Sequence, residues 1–294
     1  MTTANSGVLS MFTTHLDPRV IDTIVKPMKM AEAFKEVKKG DWTSQEVRFM
    51  AVESTGETST YGDHSNNGMS GANASFPLRE TYHYQTIINV GEQEAAIAGT
   101  AGLDLASRKQ IAASLALNKF QNKSYIFGVK GKKLYGTLND PDLEPAITSQ
   151  KWEEIEDADV LYGTIQKLFK QLVKQSGGII DRETAMTMLL SSEAESYFTI
   201  TNGFGVNVTD LLKKNFPNLT IVTVPEYETT AAGQMVQLYV DEHEGQPVVE
   251  LGFTEKMRAH ALIPQLSSYK QKRSQGTCGA VIYFPFLVAT MIVS

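Results

Sequence analysis

The residues of this chain whose types could do chemistry fall into a few groups, and each has a plainer reading beside it. Asp241-Glu242-His243-Glu244 brings carboxylate oxygens and an imidazole together, the donor types of a metal site. It also lies between two strand patterns, where a charge-rich run is the ordinary make-up of a solvated turn. Asn202 to Asp210, NGFGVNVTD, has the glycines of a phosphate loop ahead of a helix. It lacks the third glycine of a dinucleotide fingerprint and the Gly-Lys-Ser/Thr of a P-loop, so Asn202-Gly203 reads as a turn before a helix cap. Cys278 could be a nucleophile served by His260, but nothing in the spacing sets a base beside it, and a cysteine between glycines ahead of an apolar run reads as a small buried residue. His15, His64, His83, His243 and His260 are scattered, with no HExxH pairing. Lys167, Lys170 and Lys174 could meet phosphate, yet they are what the wet face of a helix carries. No set of convergent catalytic groups emerges, and no metal or cofactor is expected.

The elements that would have to position such groups are more informative. The chain has 294 residues, room for one large or two moderate domains. Its net charge of −6 speaks against a nucleic-acid reader. The single cysteine excludes an intramolecular disulfide and a cysteine-based zinc site, and fits a reducing compartment. The N-terminus does not read as a signal peptide. The apolar run from Ala280 to Val293 is too short to cross a bilayer and is interrupted by Pro285.

Residues 1–44 have weak periodicity and read as an arm, with a short helix expected from Pro18 to Val25. Residues 45–90 read as a long hairpin. EVRFMAV alternates with Val47, Phe49 and Ala51 on one face, and TYHYQTIINV alternates with Tyr82, Tyr84, Thr86 and Ile88 on one face. The polar connection between them is too long to be an ordinary loop, and a two-stranded ribbon has little to bury by itself. Its tip, with Thr58, Tyr61, Asn66, Asn67, Gly68 and Met69, is expected either to be disordered or to be ordered by a neighbouring molecule.

Residues 91–123 are rich in Ala and Leu and predict a helix, weakened at Gly99 and Gly102, with Leu105, Ala112, Leu115 and Ala116 on one face. YIFGV then reads as a short strand. The spacing of Leu161, Ile165, Leu168, Phe169 and Leu172 predicts an amphipathic helix over 159–174, closed by Gly177-Gly178. Beyond it the pattern is mixed α/β. TAMTMLLS and LTIVTVP read as strands. SEAESYFTI reads as a short helix capped by Ser192, and VTDLLKKNF as a helix capped by Asn207 or Thr209. Residues 234–253 read as a hairpin turning near Glu244-Gly245. The end of the chain reads as strands turning at Gly276 to Gly279 and at Pro285.

Between the helices lies GKKLYGTLNDPDLEP, crowded with turn formers. Its core resembles the G-h-L-N-D-P elbow (h, any apolar or small residue) that many major capsid proteins of tailed bacteriophages carry after their long helix. Gly136, Leu138, Asn139, Asp140 and Pro141 match, with Thr137 in the variable place. Over nearly the whole chain the order of parts is similar to the Hong Kong-phage-like capsid fold, an α+β fold shared with encapsulins. The resemblance implies an N-terminal arm (1–44), an extended hairpin or E-loop (45–90), a peripheral P-domain with its spine helix (91–178 and 262–294) and an axial A-domain (179–261).

What the resemblance implies is a mechanical function. The protein would be a non-catalytic major capsid protein that assembles with itself, as hexamers and pentamers, into an icosahedral head. The head would confine double-stranded DNA without reading it. Separate scaffolding, portal and decoration proteins would be its partners, with no membrane involved. Its place would be the virion, after assembly in the host cytoplasm. The elbow becomes a structural turn, with Asn139 and Asp140 bonding local backbone, Pro141 stopping the preceding element and Leu138 against the core. The chain departs from relatives in having no long charged helical prefix, so a scaffold would be separate or cleaved away. No lysine occurs between Lys39 and Lys109, so a cross-link from a hairpin lysine is not available. An encapsulin-like shell for enzymes is the nearest alternative. A phage tail or sheath subunit, or a mixed α/β hydrolase or transferase, is more distant.

Overall fold

The computed structural model describes residues 28–63, 66–100, 102, 104–228 and 233–293. The expected helix from Pro18 to Val25 lies outside them. A helical turn, α1 (Met30–Ala33), leads into β1 (Glu36–Lys38). A projecting hairpin follows, with β2 (Glu46–Arg48) and β3 (Ala51–Gly56) going out and β4 (Ser70–Ser75) and β5 (Leu78–Glu80) coming back. Next come β6 (Tyr82–Gly91), α2 (Glu92–Thr100), the spine helix α3 (Leu105–Phe127), β7 (Ile147–Ser149) and α4 (Ala158–Gln175). The mixed portion holds β8 (Met186–Leu190), α5 (Ser192–Ser196), α6 (Val208–Asn215), β9 (Leu219–Thr223) and β10 (Gln234–Val240). A small hairpin of β11 (Glu242–His243) and β12 (Gln246–Pro247) leads to β13 (Val249–Pro264), β14 (Ser268–Ile282) and β15 (Val288–Val293).

These strands form two principal sheets. One has the order β1-β13-β14-β6 and carries α3; the other has the order β7-β15-β10-β8-β9 and carries α4. The sheets cross the boundaries expected at 178/179 and 261/262. Helix α4 and the closing strand β15 belong with β8 to β10, while β13 enters the spine-helix sheet from Val249 onward.

Helix α4 follows its sequence pattern. Leu161, Ile165, Leu168 and Leu172 are fully buried, and Phe169 is half-buried against Phe216. Asp157 caps its start by accepting from Asp159 N at 3.0 Å, and Lys167, Lys170 and Lys174 are exposed. Within this helix a Cβ added at Gly163 would meet nothing within 4 Å. Gly163→Ala is therefore expected to raise subunit stability by about 0.5–1 kcal/mol, through reduced freedom of the unfolded chain. Chemical denaturation of unassembled protein checks this, and a loss of stability would mean that the site is tighter than the geometry says.

The spine differs from its sequence reading in three ways. The expected single helix is two, parted at Gly102, where φ is +71°. The second runs on to Phe127, so YIF is its last turn and not a strand. Its buried face is Ala113, Leu117, Gln121, Ser124 and Tyr125, while Ala112 and Ala116 are exposed. Polar residues on that face bond the sheet. Gln121 Oε1 accepts from Gln275 Nε2 at 3.0 Å and from the Tyr84 hydroxyl, and Ser124 Oγ lies 2.9 Å from Thr277 Oγ1. A helix seated through glutamine and serine shows little apolar periodicity, which is why its facing was misread.

Other differences are matters of pairing. Strand β6 does not close the hairpin; it pairs with β14 from Tyr82↔Thr277 to Gly91↔Ser268, where Ile88 is buried and Tyr84 reaches α3. The expected hairpin over 234–253 shrinks to β11 and β12, turning at Glu244 and Gly245, while β10 and β13 part into different sheets. Strand β14 does not turn back here; it continues through Gly276 and Gly279 with shifts in its register against β13, and Gly279 has a φ of +74°. No side chain fits there: a Cβ at Gly276 would lie 2.0 Å from Thr254 Oγ1 and one at Gly279 2.2 Å from the Tyr135 carbonyl. The turn at Pro285 is as expected. The cap of α5 is Ser191, one residue ahead of the expected Ser192, and that of α6 is Asn207.

Candidate functional site

The hairpin has a base, a shaft and a tip. At the base, β2 pairs with β5, placing Val47 opposite Arg79, and Phe49 N donates to the Pro77 carbonyl at 3.1 Å. In the shaft, β3 pairs among the described residues only with β4, from Ala51↔Ser75 to Gly56↔Ser70. Met50 and Phe76, where base meets shaft, are both exposed apolar side chains. At the tip, Glu57 N donates to the Met69 carbonyl at 2.9 Å, Ser59 Oγ to the Asn67 carbonyl at 2.7 Å and the Tyr61 hydroxyl to Asp63 at 2.7 Å. Thr58, Tyr61, Asn66, Asn67, Gly68 and Met69 are all exposed, Tyr61 at 89% and Met69 at 83%. The tip is thus stitched to itself, and among the described residues its large side chains have no core beneath them. His64 and Ser65 lie outside the described residues.

The elbow folds back on the end of the spine helix. Thr137 N donates to the Tyr125 carbonyl at 2.9 Å and Leu138 N to that of Ile126 at 3.1 Å. Asn139 holds the turn from both sides, accepting from Gly136 N at 2.7 Å and donating to the Phe127 carbonyl at 2.8 Å. Leu138 is half-buried and packs on the core. Pro141 is exposed and stops no helix, because α3 has already ended at Gly128.

Asp140 does more than bond local backbone. It accepts from Asp142 N at 3.2 Å, and its other oxygen pairs with Arg79 at 2.8 Å, joining the elbow to the hairpin base. Arg79 also lies 4.9 Å from the Tyr135 ring centre, and the backbones of Glu80 and Lys133 are bonded at 3.0 Å. Burial raises the Asp140 pKa above its usual value, outweighing the opposite pull of Arg79. Thr137, the variable place of the motif, is completely buried. Its carbonyl accepts from Gln237 Nε2 at 2.9 Å and from the Tyr239 hydroxyl at 3.3 Å, and its Oγ1 lies 3.1 Å from the Tyr227 hydroxyl. The sequence reading missed Arg79, Thr137, Tyr227, Gln237 and Tyr239; no local signal marks them, since they meet only in the fold.

The residues first considered for chemistry are not brought together. Cys278 is buried, its Sγ points to the Lys39 carbonyl at 3.6 Å, and burial pushes its thiol up to about 12. His260 instead bonds Ser274 at 2.8 Å. Asp241 accepts from Thr187 Oγ1 at 2.6 Å, and His243 packs on Phe284. Among the described residues, no group of three or more His, Cys, Asp or Glu could hold a metal ion. No helix among them is long and apolar enough to cross a membrane.

Comparison with solved structures finds this architecture in viral shells. The capsid of Myoviridae phage XM1 is 14% identical, with a TM-score of 0.82 over 97% of this chain and 98% of that one. A Mycobacterium phage Ogopogo chain is 12% identical, with a TM-score of 0.67 over 100% of both. A virus-like particle from Pyrococcus furiosus is 10% identical, with a TM-score of 0.55 over 89% of this chain and 91% of that one. At such identities these matches establish the fold, the Hong Kong-phage-like capsid fold expected from the order of parts. Comparison with curated proteins finds no match. A family model described as Pa193 gp26 major capsid protein matches residues 1–293, which favours a phage head over an encapsulin-like shell. The chain belongs to the Pa193 gp26 major capsid protein family, whose role is that of a structural subunit of the head shell.

Proposed function

We propose that the protein closes into an icosahedral head of hexamers and pentamers by laying the β3/β4 ribbon, and the arm over 1–44, on neighbouring copies. The observation that carries this reading is the ribbon itself: among the described residues β3 and β4 pair only with each other, and the tip exposes Tyr61 and Met69. Two strands alone have too little apolar surface to be stable in water, so a partner surface supplies the rest. Several weak contacts per subunit then act together, and repeated heterologous contacts close when their rotation closes. On this reading the four-stranded sheet with α3 is the peripheral part and the five-stranded sheet with α4 the axial part.

Double-stranded DNA is confined without sequence readout, in keeping with the net charge of −6. Scaffolding, portal and decoration proteins are separate partners, and assembly takes place in the host cytoplasm before the protein enters the virion.

The test is to replace residues 58–68 by an Asn-Gly turn joining Glu57 to Met69, whose backbones are already bonded at 2.9 Å. The unassembled subunit is expected to keep its stability within about 1 kcal/mol, because shortening a surface loop changes closure entropy little. Particle yield by electron microscopy and sedimentation is expected to collapse. Normal shells from this variant would remove the ribbon from the assembly contacts.

A further inference from the structure

We infer that Phe204 is the apolar anchor of a head-to-tail contact between copies of this chain, in which the end of the helix layer around it docks on the opposite end of the same layer in the next copy. The contact rests on the proposed shell of rings, and it uses a surface separate from the ribbon.

Phe204 is 92% exposed, yet its loop is tied down. Asn202 Oδ1 accepts from Phe204 N and from Val206 N, each at 3.0 Å, and Thr201 faces Asn207 in a β-bridge. Asn202 Nδ2 donates to Asp159 at 3.3 Å, which fastens the loop to the start of α4, where Val160 is exposed as well. An aromatic ring held out in a fixed place loses little further freedom on binding, and buried aromatic rings are the usual anchors of interfaces.

The distribution of charge identifies what the anchor meets. Helices α4 and α6 lie side by side in the same sense. Asn202, ahead of α6, is bonded at the start of α4, and Phe216, just past the end of α6, packs on Phe169 of α4 at 4.8 Å between ring centres. Near their starts, around Phe204, the exposed side chains Glu153, Glu154, Glu156, Asp157, Asp159 and Asp210 outweigh Lys151. Toward their ends Lys167, Lys170, Lys174, Lys213 and Lys214 are exposed, and beyond α4 Ile179 is 61% exposed, next to Asp181, Arg182 and Glu183. Among the described residues none of these five lysines is in a salt bridge.

The helix macrodipole favours such charges only in the first and last turns. Glu153 and Glu154 precede α4, and Lys167 stands about two turns before its end. The 18 residues of α4 span about 27 Å, while salt screens exposed charges beyond about 8 Å, so the two ends do not neutralise each other within one copy. A contact of like end with like end, as across a two-fold axis, would set acid against acid. Acidic end on basic end is heterologous, and its repetition closes a ring when the rotation allows. The charges then form the rim around Phe204 on one copy and Ile179 on the next.

The test compares the full chain in four forms by sedimentation and electron microscopy, with the melting temperature of the unassembled subunit as the control for folding. Glu153→Lys with Glu156→Lys, and separately Lys167→Glu with Lys170→Glu, are each expected to lower particle yield about tenfold or more, because like charges then face each other. The variant carrying both pairs is expected to regain most of the wild-type yield, since its two ends are again opposite in sign. A benzophenone amino acid placed at position 204 is expected to cross-link, in light, to residues 167–183 or 213–219 of another copy, and this readout stands even if the fourfold variant folds poorly. Wild-type yield from both reversed pairs, a fourfold variant that melts normally but assembles no better than either pair, or cross-links confined to other regions would each overturn the inference and leave the shell reading in place. Wild-type protein that forms no multimer would overturn the shell reading, and this contact with it.

Discussion

Replacing Arg79 by leucine is expected to destabilise the unassembled subunit by about 3–5 kcal/mol near pH 7, the cost of stranding one member of a buried ion pair. The side chains of Arg79 and Asp140 are 11% and 1% exposed and meet at 2.8 Å. Without the guanidinium, the Asp140 carboxylate keeps its bond from Asp142 N but has no counter-charge. The sign of the pH dependence follows from its pKa. Burial already holds the folded value above 3.8, with Arg79 pulling it down. A carboxyl with a raised folded pKa favours the folded state below the unfolded value, and loses that contribution as pH rises through the folded one. Removing Arg79 raises the folded value further, so the deficit of Arg79→Leu is expected to grow with pH above 3.8 and to shrink in acid. Denaturant melts at a series of pH values measure this. A deficit that does not change with pH would mean that Arg79 acts through its packing on Tyr135 and not through its charge.

Gly136→Ala is expected to cost about 3 kcal/mol or more, or to prevent folding outright. A Cβ there would lie 2.3 Å from both the carbonyl carbon and the oxygen of Ile126, and 2.6 Å from Phe127 N. These are backbone atoms of a helix end and cannot swing aside as a side chain would. Moving the elbow away would break the bonds from Thr137 N to the Tyr125 carbonyl and from Leu138 N to that of Ile126. It would also drag the Thr137 carbonyl from Gln237 and Tyr239. Pro141→Ala is the control. That residue is exposed, and its loss is expected to cost about 1 kcal/mol or less. Thermal melts of both variants decide the matter, and a mild Gly136→Ala would mean that elbow and helix do not touch as closely as described.

Local features were legible in the residues alone. Helix α4 could be read from Leu161, Ile165, Leu168 and Leu172 because it packs one apolar stripe on one sheet, which is what a 3.6-residue period encodes. The Asn207 cap and the elbow turn at Gly136 and Asn139 were legible because the atoms that make them lie within a few positions of one another, and strands β8 and β9 because each is a short apolar run bounded by polar residues. The isolated hairpin tip was legible from composition, since residues 57–69 hold little that could be buried.

Tertiary structure alone decided which partner each element took. Strand β6 alternates as a hairpin arm would, yet Tyr84 and Ile88 find burial against α3 only if it pairs with β14. The spine helix is fixed by Gln121 and Ser124, polar residues whose partners Gln275 and Thr277 lie about half the chain away. Glycines 276 and 279 look like turn formers in sequence but are close-approach points in a strand that shifts register and runs on, a distinction made by Thr254 and by the Tyr135 carbonyl. Asp140, in a motif that suggests a local turn, spends its charge on Arg79, 61 positions earlier. In each case a sequence pattern shows that a group needs a partner, while the partner itself is set by a packing of distant segments that no local period records.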